Sequence, residues 1–193
     1  MRLYKYCSPD LLDRVLTVDA KVRLKFSHPK NYNDPLELFL TLRGEERDPR
    51  VIAYYMTILG DIPQLPTTCF SMRPDVIPMW AHYGAEHVGF AIEIDEETLC
   101  DNISIGYVED VEYVDETGTA EWGSIRFAAT TKKFRHTYFA QTAAFKSAYF
   151  TKNRCWAYEL ERRLVVDPKL FPDDNPLMKR VLSPRRVAMS DKT

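Results

Sequence analysis

Trp80, His82, Tyr83, Glu86 and His87 fall within eight residues of one another, directly ahead of the apolar run Val88-Gly89-Phe90-Ala91-Ile92-Glu93-Ile94. Rings that stack, two imidazoles, a phenol and a carboxylate in so short a space can bind a ligand or move a proton. Such groups concentrate on element ends held by a rigid strand. A second concentration is Trp156 to Val166, where Glu159 and Glu161 stand two apart in an alternating run with a β-branched end. Residues two apart on a strand share one face, so this reads as a strand presenting two carboxylates together. A solvated strand face bearing Glu159, Glu161 and Arg163 would look the same. His82 and Glu86 would share a helix face but His87 would point elsewhere, so no metal site is expected. No Gly-x-Gly-x-x-Gly, Walker, His-Glu-x-x-His or Gly-x-Ser-x-Gly motif occurs, and Rossmann hydride transfer and P-loop phosphoryl transfer are unsupported.

The elements that must position these groups can be read from periodicity. Leu3-Tyr4-Lys5-Tyr6 alternates as a first strand, and Ser8-Pro9 starts a helix through Leu11 to Leu16. Val22, Leu24 and Phe26 share one face of a half-buried strand. Ser27 to Pro35 is a Pro-punctuated loop, and Glu37 to Leu42 reads as another strand. Asp48-Pro49 caps a helix through Ile52, Tyr55, Met56 and Leu59. Thr67 to Ser71 is a short buried strand leading into the central stretch. Ile103 to Val114 reads as one strand or a hairpin, Glu121 to Tyr149 as helical, and Arg186-Val187-Ala188 as an edge strand. Strands and helices without a βαβ rhythm predict an α+β fold.

At 193 residues, 45% hydrophobic and 28% charged, the chain can bury a full core, and one domain over 1–193 is expected. The net charge of −2 hides a division. Residues 1–120 hold 11 Lys/Arg against 21 Asp/Glu, and residues 121–193 hold 15 against 7. Such a split predicts either a basic face for a polyanion or two parts that neutralise each other. Lys132-Lys133, Arg135, Arg154, Arg162-Arg163, Lys179-Arg180 and Arg185-Arg186 would form the basic face. Cys7, Cys69, Cys100 and Cys155 are scattered with no close pair, which suits a reducing compartment. The first residues lack a signal-peptide core and no run approaches membrane-spanning length, so a cytoplasmic protein is expected, with no membrane partner.

Four blocks together resemble the domain-of-unknown-function family 2971. They are Leu3-Tyr4-Lys5-Tyr6; Phe26-Ser27-His28-Pro29 through Asn33-Asp34-Pro35; Cys69-Phe70-Ser71 through Met79-Trp80-Ala81-His82-Tyr83 and Gly89; and Trp156-x-Tyr158-Glu159-x-Glu161-x-Arg163. Cys7 stands where family members carry Arg, so that cation is missing. The order of parts also resembles an NAD-dependent ADP-ribosyltransferase: a first strand with a polar group, a second ending in Ser, a late strand with Glu-x-Glu. That resemblance implies a single α+β domain with two small mixed sheets and flanking helices, holding NAD as substrate. It implies catalytic roles for Glu161 and Glu159, and NAD contacts from Tyr4, Lys5, Tyr6, Ser27, Asn33, Asp34, Ser71, Trp80, His82 and Tyr83. The target would be a macromolecule, RNA, DNA or protein, for a bacterial toxin or antiphage effector, with an antitoxin or regulatory protein as a further partner. Two other classes stay open. A hydrolase or nuclease would use Asp34, His82, Glu93 and Glu161, and a non-catalytic nucleotide-binding module would keep the cleft without turnover.

Overall fold

Strand β1 (Arg2–Cys7) lies inside an antiparallel sheet, with β5 (Phe90–Asp95) on one side and β4 (Thr67–Ser71) on the other. Beyond β4 come β10 (Glu161–Val165) and β6 (Tyr107–Asp110), which gives the five-stranded order β5-β1-β4-β10-β6. Strand β12 (Arg186–Met189) pairs antiparallel along the outer edge of β5, as the edge strand expected there. The structure, a computed structural model, describes residues 1–17, 22–32, 34, 38, 41–43, 45–102, 106–115, 119–131, 133–167, 179–182 and 186–189. The α+β class read from the sequence holds, but in place of the two small mixed sheets expected, the described residues form one antiparallel sheet and three separate two-stranded pairs.

The period-two pattern of these strands divides the sheet into two unlike faces. Leu3 and Cys7 of β1, Phe70 of β4, Phe90, Ile92 and Ile94 of β5, and Leu164 of β10 point to one side. There they pack with Val22 and Leu24 of β2 (Val22–Lys25), with Phe26, and with Leu99 of α4 (Glu96–Asn102). Each fully buried aliphatic side chain contributes about 1.5–3 kcal/mol, so this face holds the sheet. Arg162 secures the rim of β10, bonding Glu96 and Asp110. Strand β11 (Lys179–Leu182) pairs antiparallel with β2. The other face carries Tyr4, Tyr6, Cys69, Ser71, Glu93, Glu161 and Arg163, and it is the face that matters for chemistry.

The chain divides into two compact units: residues 1–31, 65–111 and 155–193 form the first, and 32–64 with 112–154 the second. In the second, α2 (Pro49–Asp61) starts where expected, with Asp48 accepting from the Arg50 N–H and Pro49 in the first turn. The Arg50 guanidinium and that N–H hold the Asp48 carboxyl down at about 2. The helical region expected over 121–149 is two helices, α5 (Trp122–Thr131) and α6 (Phe134–Phe150). Ala140 and Ala144, four apart on α6, let its backbone approach closely where Val51, Ile58, Ile125 and Ala128 pack. Two short parallel pairs complete this unit. Strand β3 (Thr41–Arg43) runs with β8 (Thr119–Glu121), and β7 (Glu112–Val114) with β9 (Thr151–Asn153). The strand read over 37–42 is therefore described only at its end. The run read over 103–114 is broken at the buried Val111, with β6 and β7 in different sheets.

One element differs from its reading. Trp156 to Val166 was expected to be a single strand, but Arg154–Glu159 is a 3-10 helix and the strand starts only at Glu161. Leu160 joins them with φ of 46°, a left-handed conformation costing about 1–2 kcal/mol for a residue with a Cβ. Two backbone bonds hold it there: Leu160 N–H to the Ala157 carbonyl, 3.3 Å, and Met72 N–H to the Leu160 carbonyl, 3.0 Å. The alternation of Trp156, Tyr158 and Leu160 was a coincidence of side-chain type.

Candidate functional site

Register builds the site. Tyr4 stands opposite Glu93 on one side and Ser71 on the other, and Ser71 stands opposite Glu161. Directly opposed residues of antiparallel strands share a face, with Cβ atoms about 4.5–5.5 Å apart. Four polar side chains, Glu93, Tyr4, Ser71 and Glu161, therefore cross four strands in one row. Two residues along, Tyr6 faces Ala91 and Cys69 faces Arg163. Ser71, Glu93 and Glu161 are buried, and Arg163 is fully so. The Tyr4 hydroxyl donates to Glu93 Oε2 at 3.1 Å, and Arg2 Nε lies 3.6 Å from Glu93 Oε1. Arg163 Nε donates to Glu161 Oε1 at 2.8 Å. A buried charge must be paired, and Arg163 supplies that pairing for Glu161. In the sequence Arg163 counted toward a basic face; the structure removes it, because no part of it reaches solvent.

Helix α3 (Ile77–Tyr83) lies against β1 on this face, burying Met79 with Tyr6 and Ala91. The Trp80 indole meets the Tyr6 ring edge-on at 4.8 Å and donates its N–H to the Pro74 carbonyl at 2.7 Å. The Tyr6 phenol donates to the Arg73 carbonyl at 2.9 Å. Trp80 and Tyr6 are thus packing residues. The chain leaves α3 through Gly84 and then takes three consecutive left-handed residues, Ala85, Glu86 and His87, at φ of 48°, 54° and 69°. Bonds from the His87 N–H to the Trp80 carbonyl, 3.1 Å, and from the Gly89 N–H to the Gly84 carbonyl, 2.7 Å, lock the turn. Glu86 and His87 have left the helix, so the face argued for His82 and Glu86 does not exist. Backbone strain of this kind costs about 1–3 kcal/mol per residue and persists where its surroundings impose it.

Glu159 and Glu161 are both buried, but they do not share a strand face as expected, because the left-handed Leu160 turns one away from the other. Glu159 accepts from the Tyr83 hydroxyl at 2.6 Å, which ties the end of α3 to the 3-10 helix. His82 is exposed, its ring 6.1 Å from that of the half-buried Tyr158. Ser27 exchanges both backbone bonds with Thr67, at 2.8 and 2.9 Å. That is four residues along β4 from Ser71, about 13 Å at strand rise, so Ser27 is outside the row. Lys5 points to the opposite side of the sheet and donates to the Cys69 carbonyl at 2.8 Å. Asn33 lies outside the described residues, and Asp34 is buried in the second unit. Of the candidates, Tyr4, Ser71 and Glu161 come together, and Tyr83 packs with Tyr4 against the cluster of Tyr6, Met79 and Ala91. Sequence reasoning gave Glu93 only to a hydrolase and missed Arg163 as the partner of Glu161, although their spacing of two on a strand would have signalled it.

Burial, with the Glu161 carboxylate nearby, pushes the Cys69 thiol from its ordinary 9.0 up to about 12. Burial likewise raises the Tyr6 phenol from 10.0 to about 12. Both folded values lie above the unfolded ones, so the unfolded chain sheds these protons first as pH rises. Stability is full below pH 9.0 and is lost progressively between there and about 12. Urea midpoints measured from neutral pH upward should fall from about pH 9. A Cys69→Ala variant should lose stability less steeply above pH 9, the remaining loss coming from the Cys7 thiol, which burial also raises, and then from Tyr6. A slope unchanged in that variant would refute the assignment to Cys69.

Residues 79–164 match the family model described as a protein of unknown function (DUF2971). The match takes in α3 from Met79 onward, Glu93, Glu159 and Glu161 and omits Tyr4 and Ser71. No curated protein and no solved structure matches the chain. No helix among the described residues is long and apolar enough to cross a membrane.

Proposed function

We propose that this chain is an NAD-dependent ADP-ribosyltransferase acting on a macromolecule. One observation carries the reading: Tyr4 on β1, Ser71 at the end of β4 and Glu161 on β10 stand side by side in register. The Glu161 carboxylate opposes the positive charge that develops at the ribose C1′ as its bond to nicotinamide breaks. Nicotinamide leaves neutral with the electron pair of that bond. A lone pair from an acceptor oxygen or nitrogen then forms the new bond at C1′, and the acceptor's proton passes to a carboxylate and on to water. Ser71 and Tyr4 hold the ribose and the nicotinamide side of the substrate over the row. Arg163 fixes the Glu161 carboxylate in place from the same strand face, and the Tyr83 to Glu159 bond ties α3 to the 3-10 helix that precedes β10.

The competing reading is a nucleotide-binding module without turnover, favoured by the complete burial of Arg163 against Glu161. Incubating the full chain with NAD labelled in the nicotinamide ring, with and without RNA, DNA and protein acceptors, separates the two. Release of free nicotinamide, increased by one acceptor class, is the expected result. Saturable NAD binding with no release would establish the module instead, and neither binding nor release would end both readings.

A further inference from the structure

The second unit carries an aromatic and cationic helix surface, and we propose that it binds single-stranded nucleic acid. Helices α5 and α6 turn Ile125, Ala128, Ala140 and Ala144 inward. The side left outside is not polar in the usual way. Phe127 is 55% exposed, Phe134 86%, Tyr138 57% and Phe139 55%. Large rings are rarely left in water on two successive helices unless something covers them.

Charge decides what covers them. Residues 122–158 contain no Asp or Glu, against Arg126, Lys132, Lys133, Arg135, Lys146, Lys152 and Arg154. Some of these cations are committed within the fold: Arg126 bonds Glu46, Arg154 bonds Asp115 and Lys152 is buried. Lys133 and Arg135 are exposed and make no ion pair among the described residues. They interleave with the rings, the Arg135 guanidinium lying 5.5 Å from the Phe139 centroid and the Phe127 ring 4.7 Å from that of His136. An occupant must bring negative charge and flat apolar faces together. Unpaired bases on a phosphate backbone do so, the cations taking phosphates and the rings taking bases. A duplex buries its base faces in its own stack and offers only the charge. An acidic protein segment would use Lys133 and Arg135 and leave the rings wet. The surface lies wholly within the second unit, and the inference stands whether or not the chain turns over NAD.

The test uses fluorescence anisotropy of the full chain with labelled oligo(dT) and oligo(U) of about 15 nucleotides and a duplex of equal length, at several salt concentrations. Both single strands should bind more tightly than the duplex, and affinity should fall steeply with salt. Replacing Phe134, Tyr138 and Phe139 together by Ser should weaken single-strand binding about tenfold or more with the salt slope kept. Replacing Lys133 and Arg135 by Gln should instead shallow the slope by about 1.4, the share of two phosphates. All five side chains are exposed, so thermal melting should not move in either variant. No saturable binding at low salt, equal binding of duplex and single strand, or indifference to the ring substitutions would overturn the proposal. Concentration-dependent self-association abolished by the ring substitutions would overturn it too, by giving the surface to a second copy of the chain.

Discussion

Glu161→Gln should lower NAD turnover about 100- to 1,000-fold, the scale on which removing one preorganised electrostatic stabiliser acts. It should also cost about 3–5 kcal/mol of stability, because the substitution leaves Arg163 charged and buried without its partner. An activity loss alone would therefore prove nothing about chemistry. Arg163→Met provides the control. Alone it strands Glu161 and should destabilise by a similar amount. Combined with Glu161→Met it removes both charges, and a buried pair replaced by hydrophobic residues of similar volume is often neutral for stability. The double variant should melt near the parent and still fail to release nicotinamide. A double variant that recovers stability and turnover together would show that Glu161 only holds the fold, and the transferase reading would go with it.

Gly89→Ala should be the most damaging single methyl that can be added to the first unit. A Cβ there would sit 2.2 Å from the Cys7 carbonyl oxygen and 2.7 Å from that of Gly84. Both obstacles are backbone, so no side chain can rotate away. Relief requires moving β1 from the start of β5 or opening the left-handed turn that seats α3. Overpacking of this kind costs about 3 kcal/mol or more, a fall in Tm of roughly 6–12 °C for a chain of this size. Gly60→Ala is the matched control, because Gly60 lies in α2 and a Cβ there meets nothing within 4 Å. It should raise stability by up to about 1 kcal/mol. Melting curves that rank the two variants the other way would show that the approach of Gly89 to Cys7 is not what fixes α3 over the sheet.

Much of the local structure was legible in the chain. Val22, Leu24 and Phe26 alternate and are buried on one face; Asp48-Pro49 announces α2; Thr67 to Ser71 and the run after Gly89 are strands. Local chemistry determines these, so local patterns reveal them. The row of Tyr4, Ser71 and Glu161 depends on register between segments far apart in sequence, and nothing in any one segment specifies its partner. Leu160 gave no warning because leucine is a poor left-handed residue; a local bond to Ala157 and a long-range one to Met72 hold it there. The same holds for Ala85, Glu86 and His87, a turn in which glycine would have been the readable signal. Arg163 looked like one more surface cation because composition does not report burial. The basic face read from the sequence accordingly contracts, since Arg162 and Arg163 serve the first unit's own carboxylates.

Neither unit is a continuous length of chain, and this has a consequence for synthesis. Strand β1 leaves the ribosome before the rest of its sheet: both its neighbours, β4 and β5, are encoded more than sixty residues later, and β10 later still. At about 5–20 residues per second, roughly 8–30 s separate the emergence of Tyr4 from that of Glu161. For the first part of that interval β1 waits with both edges open, a template for any strand that meets it. The second unit cannot close before residue 154 either, since it needs α5 and α6 to cover α2. The nascent chain therefore carries an unpaired strand edge until β4 and β5 have both been made. A stop anywhere before β10 should yield an aggregating fragment rather than a smaller folded one.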